Sequence, residues 1–86
     1  VCRRGGASAA FDRLNKDFTI RNMPVVAAQY WNSVHGLMPG EASQDAEGLQ
    51  TMRTLGNNMA WMLKNLKSDT AQRPIPEQRQ ATSFIR

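Results

Sequence analysis

A chain of 86 residues with one cysteine is at most one small domain with a limited core. It can close no internal disulfide and build no thiolate metal or iron–sulfur centre of its own. The formal charge of +4 is concentrated at Arg3-Arg4 and in the C-terminal tail; without a basic helix face interleaved with aromatics, a zinc-finger pattern or an RNA-binding signature, it reads as solvated surface and excludes a nucleic-acid binder as the first expectation. No apolar run reaches membrane-spanning length and the first residues lack signal-peptide character, so a cytoplasmic protein without a membrane partner is expected, in keeping with the lone Cys2.

In chain order, Val1-Cys2 followed by Arg3-Arg4-Gly5-Gly6 has the pattern of a strand end running into a loop, so the chain is expected to begin inside a fold. The glycines at 5 and 6 allow a ligand to approach the backbone closely. A helix follows, with Ala7, Ala10, Phe11, Leu14 and Phe18 on one apolar face. Asn22 and Pro24 punctuate its end. The run Val25-Val26-Ala27-Ala28, bounded by Gln29-Tyr30-Trp31-Asn32, suits a strand covered on both faces. The segment from Ser33 to Ala42 reads as loop. Ser43 is the expected N-cap of a second helix, with Asp45 and Glu47 placing negative charge in its first turn. That helix is expected to reach about Lys67, with Leu49, Met52, Leu55, Met59, Leu63 and Leu66 as its apolar stripe and Trp61 off the stripe as a contact for a homo-oligomer. Gly48 and Gly56 lie on or beside the stripe, at a helix-propensity cost that a close approach to a neighbouring element would offset. Residues 68–86 are polar and proline-marked and read as an extended tail, leaving 1–67 as the structured segment.

Strand end, loop, helix, strand, loop, helix and tail make a right-handed parallel crossover unit. The expected class is therefore α/β, the C-terminal part of a doubly wound parallel sheet. Ligands bind such sheets at the carboxyl ends of the strands, which directs attention to Tyr30, Trp31, Asn32 and His35.

Arg3-Arg4-Gly5-Gly6-Ala7-Ser8, Asn22-Met23-Pro24-Val25-Val26, Gln29-Tyr30-Trp31-Asn32-Ser33-Val34-His35-Gly36, Gln44-Asp45-Ala46-Glu47-Gly48-Leu49-Gln50-Thr51-Met52-Arg53 and Asn58-Met59-Ala60-Trp61 together resemble the C-terminal half of flavodoxin-like, NAD(P)H-dependent FMN reductases. The ending Thr82-Ser83-Phe84-Ile85-Arg86 is similar to a Thr-Asn-Phe-Ile-Arg ending in that family, with Ser83 in place of Asn. The resemblance implies a five-stranded parallel sheet with FMN at the carboxyl ends, NAD(P)H as reductant and a small-molecule electron acceptor. It places Arg3, Arg4, Gly5, Gly6 and Ala7 in the loop that approaches the isoalloxazine ring. The phosphate loop and first strands of such proteins have no counterpart in these residues.

The residues themselves leave several functions open. Arg3-Arg4-Gly5-Gly6 before a helix suits an anion or the pyrimidine edge of a flavin, which becomes anionic on reduction. Tyr30, Trp31, Asn32 and His35 suit a ring-stacking nicotinamide or substrate pocket, or a subunit interface. Asp45 and Glu47 are explained by the start of a helix, and neither they nor any other group reads as a metal site. Hydride transfer is cofactor chemistry and calls for no protein nucleophile, so no catalytic residue is assigned. The alternatives to an oxidoreductase segment are a non-catalytic fragment acting in assembly and a small anion-binding module.

Overall fold

The computed structural model describes residues 5–68, 72 and 74–84. Two helices carry the structure: α1, Ala7–Ile20, and α2, Ala46–Leu66, with a short 3-10 turn, Glu41–Gln44, ahead of the second. Among the described residues there is no strand and no sheet, so the expected α/β doubly wound architecture is corrected to an all-helical one. The physical reason lies in what a strand requires. Val25 to Ala28 have no helical structure, but a strand exists only through a hydrogen-bonded neighbour. Among the described residues no second segment supplies that ladder. The expected first strand end, Val1-Cys2, lies outside the described residues.

α1 ends through its own chemistry. Arg21 is the C-cap, and Asn22 follows in the left-handed region at φ 55°, which Asn tolerates better than most residues. The Met23 N–H donates to the Phe18 carbonyl at 3.2 Å and the Asn22 N–H to the Thr19 carbonyl at 3.1 Å. This pair of bonds is a Schellman closure, and Pro24 beyond it prevents the helix from resuming.

α2 begins two residues later than the sequence suggested. Ser43 is not its cap: the Ser43 hydroxyl donates back to the Gly40 carbonyl at 2.6 Å, holding the 3-10 turn that starts after Gly40 at φ 84°. Asp45 caps α2 instead, accepting from the Gly48 N–H at 3.0 Å. Glu47 in the first turn and Lys64 in the last complement the helix dipole.

The segment after α1 is held on α2 by polar contacts in place of a ladder. Asn58 Nδ2 donates to the Ala27 carbonyl at 2.8 Å, and Gln29 Nε2 reaches Thr51 Oγ1 at 3.5 Å. Thr51 is only 1% exposed. Gly48 is buried as well, and a Cβ built on it would lie 2.9 Å from Val34 Cα. Gly48, Thr51, Leu55 and Asn58 recur at the spacing of one helix face, and that face, small and polar at its start, receives the chain. The stripe expected to be the core is largely open: no hydrophobic side chain among the described residues is fully buried, and Met59, Leu63 and Leu66 are exposed. The apolar face of α1 (Phe11, Leu14, Phe18) instead lines an open groove shared with Val25, Leu55 and Met59. The described tail residues carry no regular structure and are exposed.

Candidate functional site

The start of α1 and the turn after the apolar run meet in one cleft. Ala7, Ser8 and Phe11 form one wall, and Tyr30, Trp31, Asn32, Ser33 and His35 form the other, around a volume of about 160 Å³. The cleft thus joins Ala7, from the expected cofactor loop, to all four residues of the expected substrate pocket. Gly5 and Gly6 precede its α1 wall directly; Arg3 and Arg4 lie outside the described residues. Ser8, Phe11 and Ser33 were not singled out as site residues. Ser8 ended a segment quoted for the resemblance but was given no role, and Phe11 was absorbed into an apolar helix face that serves here as a cleft wall.

Two aromatic rings shape the second wall. Tyr30 and Trp31 have ring centroids 5.4 Å apart with their planes tilted by 35°, and both are more than half exposed. Large rings left open at a concave surface supply apolar contact area at little conformational cost. Beside them, Asn32 Oδ1 is buried and has no hydrogen-bond partner. Buried acceptors are nearly always satisfied, so this oxygen, closed to solvent, is an exception among the described residues.

The helix start opposite has no side-chain cap among the described residues. Gly6 is the N-cap of α1 and brings no side chain to its first N–H groups, which no intrahelical carbonyl can reach. α2 differs, since its own Asp45 occupies the equivalent N–H. Gly5 has open space where a Cβ would stand, and neither it nor Gly6 has a positive φ. The fold of this chain therefore does not demand glycine at position 5.

His35 stands where the cleft borders a second hollow lined by Val34, Gly36, Leu37, Glu41 and Asp45. Its backbone N–H donates to Asp45 Oδ2 at 2.7 Å, and its Nδ1 lies 3.5 Å from the same oxygen with the side chain 77% exposed. Glu41 Oε2 accepts from the N–H groups of Leu37 and Met38 at 2.8 and 2.9 Å. The Gly48 N–H first, and then that of His35, hold the Asp45 carboxyl below its ordinary pKa; the N–H groups of Met38 and Leu37 do the same for Glu41. These carboxylates occupy the loop's donors, so the second hollow offers an anion no welcome, and its role is to fix the backbone that carries His35. The role of Asp45 in anchoring residue 35 was not read from the sequence, although Asp three residues before Gly48 is the spacing of a helix cap.

Among the described residues no group of three or more His, Cys, Asp or Glu gathers as a metal site, and no helix is long and apolar enough to cross a membrane. Comparison of the chain with family models, with curated proteins and with solved structures gives no match.

Proposed function

We propose that this chain is a segment of an FMN-dependent NAD(P)H oxidoreductase and that the cleft between α1 and residues 30–35 receives the flavin ring. The observation that carries the reading is the meeting of Ala7 and Ser8 with Tyr30, Trp31, Asn32 and His35 around one hollow. The same stretches carry the resemblance to NAD(P)H-dependent FMN reductases, although they are separated by more than a helix in the chain. The reading uses the cleft and requires no sheet.

The lining fits part of a flavin. A volume of about 160 Å³ is below the ~300 Å³ of the smallest pockets that enclose a whole drug-sized ligand, so the cleft takes one edge of the ring system. Tyr30 and Trp31 offer apolar faces to a planar heterocycle, and the first N–H groups of α1, whose N-cap Gly6 has no side chain, offer donors. The chemistry that a bound FMN supplies is uptake of a hydride from NAD(P)H and delivery of the two electrons to a small-molecule acceptor. The residues of this chain bind and orient. Ala7, Ser8 and Phe11 form the wall opposite the two aromatics, and the bond to Asp45 keeps His35 at the mouth. Exposed Trp61, Leu63 and Leu66 on the far end of α2 support self-association as the route by which its apolar stripe is covered.

The test is an FMN titration of the protein expressed from its full reading frame, followed by anaerobic addition of NADPH or NADH. Saturable binding with bleaching of the flavin band is the expected result. Trp31→Ala should leave the far-UV spectrum nearly unchanged, because the ring is more than half exposed, and should weaken FMN binding, because the ring lines the cleft. A protein that binds no FMN, or binds it equally well in both forms, contradicts the assignment.

A further inference from the structure

We propose that residues 24–28 are one half of an intermolecular ladder, and that the other half is the same stretch of a second copy of this chain, paired antiparallel about a twofold axis at Ala27. Each copy keeps its all-helical architecture, and the proposal does not depend on the flavin reading.

The backbone of this stretch is the first observation. Residues 23–28 run without a turn or a bend, yet among the described residues the N–H groups of Val25, Val26, Ala27 and Ala28 donate to no protein group. In such a stretch the backbone groups of alternate residues point to opposite edges. The Ala27 carbonyl accepts from Asn58 Nδ2, which gives the edge of residues 25 and 27 to α2. The N–H and C=O groups of Val26 and Ala28 belong to the other edge. A hollow of about 330 Å³ follows residues 25–32, with Phe11 as its remaining wall, so the stretch has room along its length.

Charge is the second observation. No Lys, Arg, Asp or Glu stands between Arg21 and Glu41. Natural sheet edges are kept from pairing by charged side chains, bulges or a covering element. This edge has no such charge, and Pro24 only limits the ladder to the residues after it. The stretch is also its own complement. With Ala27 on the axis, Val26 stands opposite the partner's Ala28, and each such pair exchanges both of its hydrogen bonds. Ala27 meets its own copy where the strands come closest, and its side chain is small enough to fit there. Pairing like with like brings no like charges together. The area suffices as well. The chain exposes 8634 Å², roughly 3,500 Å² more than a compact monomer of its mass, and a specific interface takes only about 800 Å² from each partner.

The experiment follows the protein expressed from its full reading frame by sedimentation velocity over a concentration series, and by residue-resolved amide hydrogen exchange at the highest concentration. The expected result is a dimer in which the amides of Val26 and Ala28 are protected more strongly than those of Val25 and Ala27, the alternation that pairing along one edge requires. Val26→Pro removes a ladder donor from both copies and should weaken the dimer at least about tenfold. Leu63→Gln, on the exposed stripe of α2, should leave it unchanged. The exchange pattern is read on the wild type and needs no variant to fold. A monomer at all concentrations overturns the proposal; if that monomer shows the same alternation, the pairing strand lies within its own chain. Uniform exchange through residues 25–28 in a dimer, or a dimer weakened by Leu63→Gln and not by Val26→Pro, overturns it too.

Discussion

Two glycines in α2 look alike in the sequence and differ in the structure. A Cβ on Gly48 would run into the Asp45 carboxylate that caps the helix and the backbone of Val34, whereas a Cβ on Gly56 would meet nothing. Gly48→Ala should therefore destabilise the fold, by about 1–3 kcal/mol for a steric insertion of this kind. Gly56→Ala should stabilise it by about 0.5–1 kcal/mol, through helix propensity and a less free unfolded chain. Urea denaturation of the two variants beside the wild type, each expressed from the full reading frame, checks the opposite signs. Asp45 supplies a prediction of another kind. Its carboxyl is held below the ordinary value by the N–H groups of Gly48 and His35, so the unfolded chain takes up that proton more readily than the folded one. The stabilisation is complete above the ordinary Asp pKa and is lost as pH falls through the lowered one. Asp45→Asn keeps an oxygen for the cap but removes the titration. Its stability should fall less steeply on acidification than that of the wild type when both are followed by circular dichroism; parallel acid limbs would show that the carboxylate contributes nothing.

At the scale of elements, α1 was legible because five apolar residues repeat at helical spacing and Asn22 and Pro24 stop them. α2 was legible in its body but not at its start, since Ser43 and Asp45 both have capping side chains and only the bond to Gly48 decides between them. The run Val25 to Ala28 was misread for a physical reason. Its composition reports a preference for extended, covered backbone, but sheet membership belongs to the pair of strands and not to one of them. What holds the segment here is Asn58 and Thr51 on α2, polar residues that no hydrophobic period reveals. Of the residues lining the candidate cleft, Tyr30, Trp31, Asn32 and His35 stood out in the sequence as an abrupt polar and aromatic end to an apolar run, while Phe11 and Ser8 required the fold to bring α1 beside them. Asn58→Ala removes the bond to the Ala27 carbonyl at a cost of about 1 kcal/mol. It should speed amide hydrogen exchange across residues 25–29 while leaving the middle of α1 unchanged; uniform acceleration through both helices would mean that the contact supports the whole fold and not this segment.

The whole molecule carries its apolar surface outward. The chain exposes 8634 Å², where a compact monomer of its mass exposes about 5,100 Å². Its radius of gyration is 17.8 Å, against about 12 Å for a compact chain of this length. The exposed described tail residues, the open groove and the exposed stripe ending at Leu63 and Leu66 all contribute to the excess. With no fully buried hydrophobic side chain among the described residues, burial repays little of the ordering entropy. The isolated 86-residue chain should accordingly sediment as concentration-dependent assemblies and melt without a sharp transition. A cooperative monomer at all concentrations would contradict this.

The proposed binding of FMN between α1 and residues 30–35 is tested most directly by a nuclear magnetic resonance footprint of FMN on the protein expressed from its full reading frame. FMN should shift the backbone amides of Ala7 and Ser8, the indole N–H of Trp31 and the side-chain amide of Asn32 together. The amides of Gly56 and Trp61, on the exposed side of α2, should stay in place. Shifts confined to α2, or a change at α1 without one at Trp31 and Asn32, would contradict it.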